Sequence, residues 1–198
     1  MRPQRPPQSF FMWFLFLALG ACGQTGNASE GQEPVIPGAP VLHQVRPLVR
    51  PGIEVLLSDS LHLLLGKRVG LITNQSAVDQ LGVHDIDLLS EAIGFEMVAL
   101  FSPEPGIRGD EEGGISIEDQ TDERSGLPVH SLYGETRQPT PDMLQGLDVI
   151  LYDIQDIGAR FYTYISTMGN AMQAASEHDV RFVVLDRPNP IGGLAVAG

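Results

Sequence analysis

The polar residues able to do chemistry cluster directly after short apolar runs. Thr73-Asn74-Gln75-Ser76 follows one run, and Ser102-Pro103-Glu104-Pro105-Gly106-Ile107-Arg108-Gly109 follows another. A third is followed by Asp153-Ile154-Gln155-Asp156-Ile157-Gly158-Ala159-Arg160-Phe161-Tyr162, with Tyr164 just beyond, and a fourth by Asp186-Arg187-Pro188-Asn189-Pro190. Glu104 stands between two prolines, so its loop is expected to be stiff and its carboxyl partly desolvated. Desolvation favours the neutral carboxyl, the form a general acid needs. Asp153 and Asp156 leave a neighbouring run and are candidates for a second carboxylate facing Glu104. Carboxylates paired across a bond are the usual equipment of glycoside hydrolysis. Arg108 and Arg160 offer planar forks for a ligand carboxylate. Tyr162 and Tyr164 could pack on a sugar face, and Asn74, Gln75, Gln155 and Asn189 could bond hydroxyl or acetamido groups. Asp186 and Arg187 complete the candidate ligand contacts. For each arginine the competing reading is an ion pair with a nearby aspartate. For each tyrosine it is core packing, and for Ser76 or Asp186 it is turn and cap chemistry.

Other chemistries lack their residues. No G-x-G-x-x-G or G-x-x-x-x-G-K-[ST] occurs, so no phosphate cradle and no nucleotide cofactor are expected. No G-x-S-x-G elbow is present. His43, His62, His84, His130 and His178 are scattered without ligand spacing, and a lone histidine is more often a surface or capping residue. Asp153 and Asp156 are a weak candidate for a hard cation, and no metal is expected. A formal charge of −13 and the lack of a basic stripe disfavour nucleic acid as a partner.

The elements that must position these groups alternate. Ile53 to Leu65 has helical spacing that stops at Gly66, Arg68–Thr73 reads as a strand, Ile86–Ile93 as a helix and Glu96–Phe101 as a strand. A long polar loop, Ser102 to about Leu127, leads to a short strand at Val129–Leu132. Thr140 caps a helix with Pro141 in first position. Leu147–Tyr152 is a strand, Tyr162–His178 a helix and Arg181–Leu185 a strand. Near-continuous apolar strands alternating with helices predict an α/β, doubly wound, mainly parallel sheet with helices on both faces. In such a sheet ligands bind beyond the carboxyl ends of the strands, where all four polar clusters fall.

The beginning of the chain reads differently. Arg2 and Arg5 precede the apolar run Phe10–Leu19, and Leu19-Gly20-Ala21-Cys22 places small residues before the single cysteine. This is the pattern of a secretory signal over residues 1–21, and the run is short for a permanent span. L-G-A-C resembles the bacterial lipobox, in which the cysteine is lipidated. The expectation is an exported protein anchored through Cys22, with Gly23 resembling the outer-membrane sorting pattern and the domain facing the periplasm. Losing residues 1–21 removes Arg2 and Arg5 and no acids, taking the charge to −15. Residues 22–50, rich in Gly, Pro, Ser and Gln, read as a flexible tether. Residues 51–198 then form one domain of roughly 150 residues, enough for a true core.

Six strings carry a family resemblance: LITNQSA (71–77), FSPEPGIRG (101–109), SGLPVHSLYG (125–134), PTPDML (139–144), DIQDIGARFYTYISTM (153–168) and VLDRPNPIGG (184–193). They resemble the YbbC/NamZ-type proteins, also labelled DUF1343, which are exo-β-N-acetylmuramidases acting on the non-reducing end of peptidoglycan fragments. The resemblance implies a Rossmann-like N-terminal domain, a smaller C-terminal domain, and an active site in the cleft between them. It implies that Glu104 matches the family's catalytic glutamate and proposed general acid. The lactyl carboxylate of muramic acid would account for an arginine in the site. Two departures stand out: Pro105 occupies a position where the family usually has His, and the chain ends at Gly198 whereas family members continue. The chain is therefore expected to lack the second domain.

Overall fold

The computed structural model describes residues 49–109, 120–134 and 136–195, all within the compact unit Val45–Gly198. The expected leader (residues 1–21), the Cys22 anchor and the tether up to residue 48 lie outside the described residues.

The elements run α1 (Gly52–Asp59), a 3-10 turn (Leu61–Leu63), β1 (Arg68–Thr73), α2 (Asp85–Glu91), β2 (Glu96–Ser102), β3 (Gln120–Thr121), β4 (Pro128–Ser131), α3 (Pro141–Leu144), β5 (Val149–Asp153), α4 (Tyr164–Glu177) and β6 (Arg181–Val184). The sheet order is β3-β4-β2-β1-β5-β6. Every neighbouring pair is parallel except β3 with β4. Counting the parallel strands alone along the chain gives 3-2-1-4-5, the Rossmann order, whose direction of winding reverses between β1 and β5.

Burial explains why β1 and β5 read as unbroken apolar runs: all of β5 and all of β1 after Arg68 are buried. The period of two sends alternate side chains to opposite faces. Val69, Leu71, Leu100, Val149 and Leu151 join Ile53 and Leu56 of α1 and Ile86 and Leu89 of α2. Ile72, Phe101, Ile150 and Tyr152 join Leu144 of α3 and Ala171, Ala174 and Ala175 of α4. The helices thus cover both faces. Each fully buried Leu or Ile contributes about 1.5–3 kcal/mol of transfer free energy, so the two layers together dominate the stabilisation.

Local signals set the boundaries. The first helical pattern is in fact two pieces, α1 and the 3-10 turn, hinged at Ser60. Leu64 continues the apolar rhythm because it is buried in the same layer as α1. Gly66, with φ of 69°, stops the turn in the left-handed region. Thr140 caps α3 by accepting from the Met143 amide at 3.4 Å, with Pro141 leading the helix. Among its described residues the long loop contains a strand the pattern does not signal, β3, paired antiparallel on β4.

Candidate functional site

The loops after β1, β2 and β5 meet around Glu104. Ser102 Oγ donates to the Glu104 carbonyl at 2.6 Å, fixing the loop just past β2 and leaving the glutamate half-buried. Its carboxylate accepts from two groups: the Tyr164 hydroxyl at Oε1, and Asn74 Nδ2 at Oε2, 3.4 Å away. Asn74 Nδ2 also lies 3.2 Å from the Tyr164 hydroxyl, so the three side chains touch one another. Burial, then the hydrogen bond to Glu104 and its charge, hold the Tyr164 phenol well above its usual range, so it remains a donor. Tyr152 braces this tyrosine from below, donating to the Tyr164 carbonyl at 2.9 Å.

Asn74 is itself buried, and its Oδ1 accepts from the Ser76 amide (3.0 Å) and hydroxyl (2.6 Å). Ser76 Oγ accepts in turn from the Gln155 amide at 2.9 Å, which ties the β1 and β5 loops across the reversal point of the sheet. Gln155 reaches the β6 loop as well, donating from Nε2 to the carbonyls of Asp156 (2.7 Å) and Pro188 (3.0 Å).

Beside this cluster a cleft of about 410 Å³ opens over the carboxyl ends of β5 and β6. Gln155, Asp156, Arg160, Tyr164, Asp186 and Asn189 are among its walls, and Tyr164 is the residue it shares with the Glu104 cluster. Tyr162 meets Tyr164 edge-on, centroids 5.3 Å apart, and continues the aromatic surface outward. Asp156 Oδ1 accepts from Gly158 N (2.7 Å) and Asn189 Oδ1 from Ile191 N (3.1 Å). Gln75 is exposed beside Asn74. Arg160 is exposed and has no ion-pair partner among the described residues.

Two expected ligand contacts, Arg108 and Arg187, and the candidate catalytic carboxylate Asp153 turn inward instead. Arg108 spends its guanidinium on Asp122, at 2.5 and 2.9 Å, and on Asp87, at 2.9 and 3.3 Å. Its hydrogen bonds, helped by Ser125, hold Asp122 well below the usual carboxylate range. Arg187 bonds Asp153 through Nε and the Val78 carbonyl through Nη1 at 3.0 Å, and its Nη2 lies 3.8 Å from Asp85. Asp153 and Asp85 are fully buried, so Asp153 does not face Glu104 across open space. Arg108, Arg187 and Asp153 therefore join loops to one another. The physical reason is the surplus of acids: both guanidiniums find carboxylates of neighbouring segments within bonding distance. Burial, followed by the hydrogen bond and charge of Asp153, pushes the Asp85 carboxyl well above its usual range, against the pull of Arg187. A proton there relieves two buried carboxylates competing for one cation.

His84, Asp85, Asp87 and Asp122 are participants that the strand-end pattern does not reveal. They lie in the segment opening α2 and in the long loop, and only tertiary packing brings them to the rim.

The comparisons agree with this architecture. The sequence model of the family described as "Exo-beta-N-acetylmuramidase NamZ, N-terminal" matches residues 69–198. The chain is 49% identical over 153 residues to the peptidoglycan beta-N-acetylmuramidase NamZ of Bacillus subtilis (strain 168), covering 77% of this chain and 37% of that protein. Two solved DUF1343 family proteins of Bacteroides fragilis NCTC 9343 superpose on it. One has TM-score 0.68 and 55% identity, covering 74% of this chain and 36% of that one. The other has TM-score 0.59 and 34% identity, covering 71% and 35%. The chain spans little more than a third of the length of these relatives. It belongs to the family of NamZ exo-β-N-acetylmuramidases, within the part that forms their N-terminal domain.

Proposed function

We propose that this chain carries the acid-bearing, sugar-binding part of an exo-β-N-acetylmuramidase, a glycoside hydrolase that releases terminal N-acetylmuramic acid from peptidoglycan fragments. The observation that supports it best is Glu104, held by Asn74 and by Tyr164, a tyrosine that also lines the open cleft. In this reading Glu104 gives its proton to the glycosidic oxygen as the bond to the sugar breaks. Negative charge then develops on its carboxylate, where Tyr164 and Asn74 already point donors. Arg160, uncommitted in the cleft wall, receives the lactyl carboxylate. Gln155, Asn189 and Gln75 serve hydroxyl and acetamido groups, and Tyr162 lies against the sugar face. Asp156 is the remaining cleft carboxylate from the expected pair, and Asp186 also lines the cleft. The L-G-A-C string supports export and a lipid on Cys22, with the domain in the periplasm.

The test is release of N-acetylmuramic acid from a chromogenic β-muramide. Glu104→Gln is expected to abolish release while leaving the melting temperature near that of the wild type; release at the wild-type rate would refute the acid role. A second reading, a muropeptide-binding protein without catalysis, is favoured by Pro105 where the family pattern has His. It predicts sugar binding with no release by the wild type.

A further inference from the structure

His84 occupies the turn between β1 and α2, and its two ring nitrogens do different jobs. Nδ1 accepts the Ile86 amide at 3.1 Å and so caps α2. A nitrogen that accepts an N–H carries no hydrogen, so the hydrogen of the neutral ring is on Nε2. Nε2 lies 3.1 Å from the Asn74 carbonyl and donates to it. One imidazole in one tautomer thus joins the first turn of α2 to the residue just past β1. That residue is the one whose side chain reaches both Glu104 and Tyr164.

We propose that His84 is a positioning residue for Glu104, acting through Asn74. The peptide carbonyl of Asn74 is fixed by His84 and its Oδ1 by Ser76, which leaves Nδ2 as the free end of the carboxamide, aimed at the Glu104–Tyr164 pair. The ring must stay neutral to do this, because a proton on Nδ1 would face the Ile86 N–H and break the cap. Its surroundings support the neutral form. Burial comes first and the Arg108 guanidinium second; together they outweigh the hydrogen bond to the Asn74 carbonyl and the charges of Asp87 of α2 and Asp122 of the long loop, and the imidazole is held below its usual range. The catalytic consequence rests on the muramidase reading above, whereas the hold on Asn74 does not.

The experiment has two arms. In the first, nitrogen NMR of this chain with labelled histidine identifies the His84 tautomer, and the Asn74 side-chain amide is followed in His84→Asn, with His62→Asn at an exposed site as control. His84→Asn keeps a capping acceptor but lacks the reach to donate to Asn74. The expected result is a neutral Nε2–H ring at neutral pH and an Asn74 amide signal displaced in His84→Asn alone. A hydrogen on Nδ1, or an Asn74 signal unmoved by His84→Asn, overturns the proposal. In the second arm, muramide release by His84→Asn is expected to fall by up to about 100-fold in kcat with KM unchanged. An unchanged kcat overturns the positioning role. If the wild type releases nothing, the muramidase reading fails, and the first arm still decides whether His84 holds Asn74.

Discussion

Replacing Arg108 with methionine separates an arginine that holds the fold from one proposed to hold a ligand. The stem is kept and the charge removed. Asp122, whose side chain is 4% exposed, then keeps only the Ser125 amide and hydroxyl, at 2.8 and 2.6 Å. Asp87 keeps Arg124, at 3.1 Å, but that arginine is 68% exposed and screened by solvent. Breaking a buried pair by removing one partner costs about 3–5 kcal/mol. The surviving Ser125 bonds argue for the lower end, about 3 kcal/mol. For a domain of this size that is a fall of roughly 6–12 °C in Tm. The assay is thermal and urea unfolding followed by circular dichroism. The gap should also depend on pH. The Asp122 carboxyl is depressed in the folded state, so its contribution is complete above the ordinary value of 3.8 and fades as pH falls below it. Arg108→Lys should fall between, because one ammonium cannot fork to both carboxylates. Arg160→Met is the counterpart: an exposed change within about 0.5 kcal/mol in stability that, on the muramidase reading, is expected to weaken muramic acid binding. Should Arg108→Met melt with the wild type yet lose sugar binding, the assignment of the two arginines would be reversed.

Asp85→Asn tests the buried proton. Because the folded carboxyl is raised above its ordinary value, the native state keeps a proton that the unfolded chain has lost, and the contribution of this site to stability falls as pH rises from 3.8 to about 9. Asparagine needs no proton to donate to Asp153, so the variant should show a flatter profile of Tm against pH; an identical slope would sink the assignment. Gly52→Ala tests the seam between α1 and β6, where an added Cβ would lie 2.5 Å from Asp186 N and the Leu185 carbonyl carbon. The helix start must then leave the Asp186 carbonyl that Gly52 bonds at 2.8 Å, at a cost of about 1–3 kcal/mol. A denaturation midpoint equal to that of the wild type would mean the seam bears no load.

The central strands were legible because burial on both faces leaves a physical mark, an unbroken apolar run, and β1, β2 and β5 all carry it. The rim was legible for a related reason. Polar residues directly after such runs sit at one edge of a parallel sheet, which is how Asn74, Glu104 and Gln155 come together. What one sequence does not carry is the choice of partner. Arg108 and Arg160 look alike as residues, yet Asp87 and Asp122 claim the first and leave the second in the cleft. Nothing local predicts that Asp153 faces Arg187 and Asp85 beneath the loops. β3 escaped because two residues on a sheet edge have no periodicity to read, and Ser60 escaped because Leu64 keeps the apolar rhythm across the break. For His84 the sequence offered only the general reading of a surface or capping residue and not the link to Asn74, since that bond depends on where β1 ends in space.

The rim is stitched by bonds between residues far apart in the chain: Ser76 to Gln155 spans 79 positions, Asn74 to Tyr164 spans 90 and Val78 to Arg187 spans 109. At equilibrium such spans cost little extra, about 0.6 kcal/mol for each doubling of loop length. For folding rate they matter more, because non-local pairings must wait for the chain between them. A partly folded species with β1, β2 and β4 assembled would have half a sheet and none of the Gln155, Tyr164 or Arg187 contacts. The cluster around Glu104 therefore needs both halves of the sheet before it can form, and a ligand bound at the rim would close the same long loops and stabilise the whole sheet instead of a single turn.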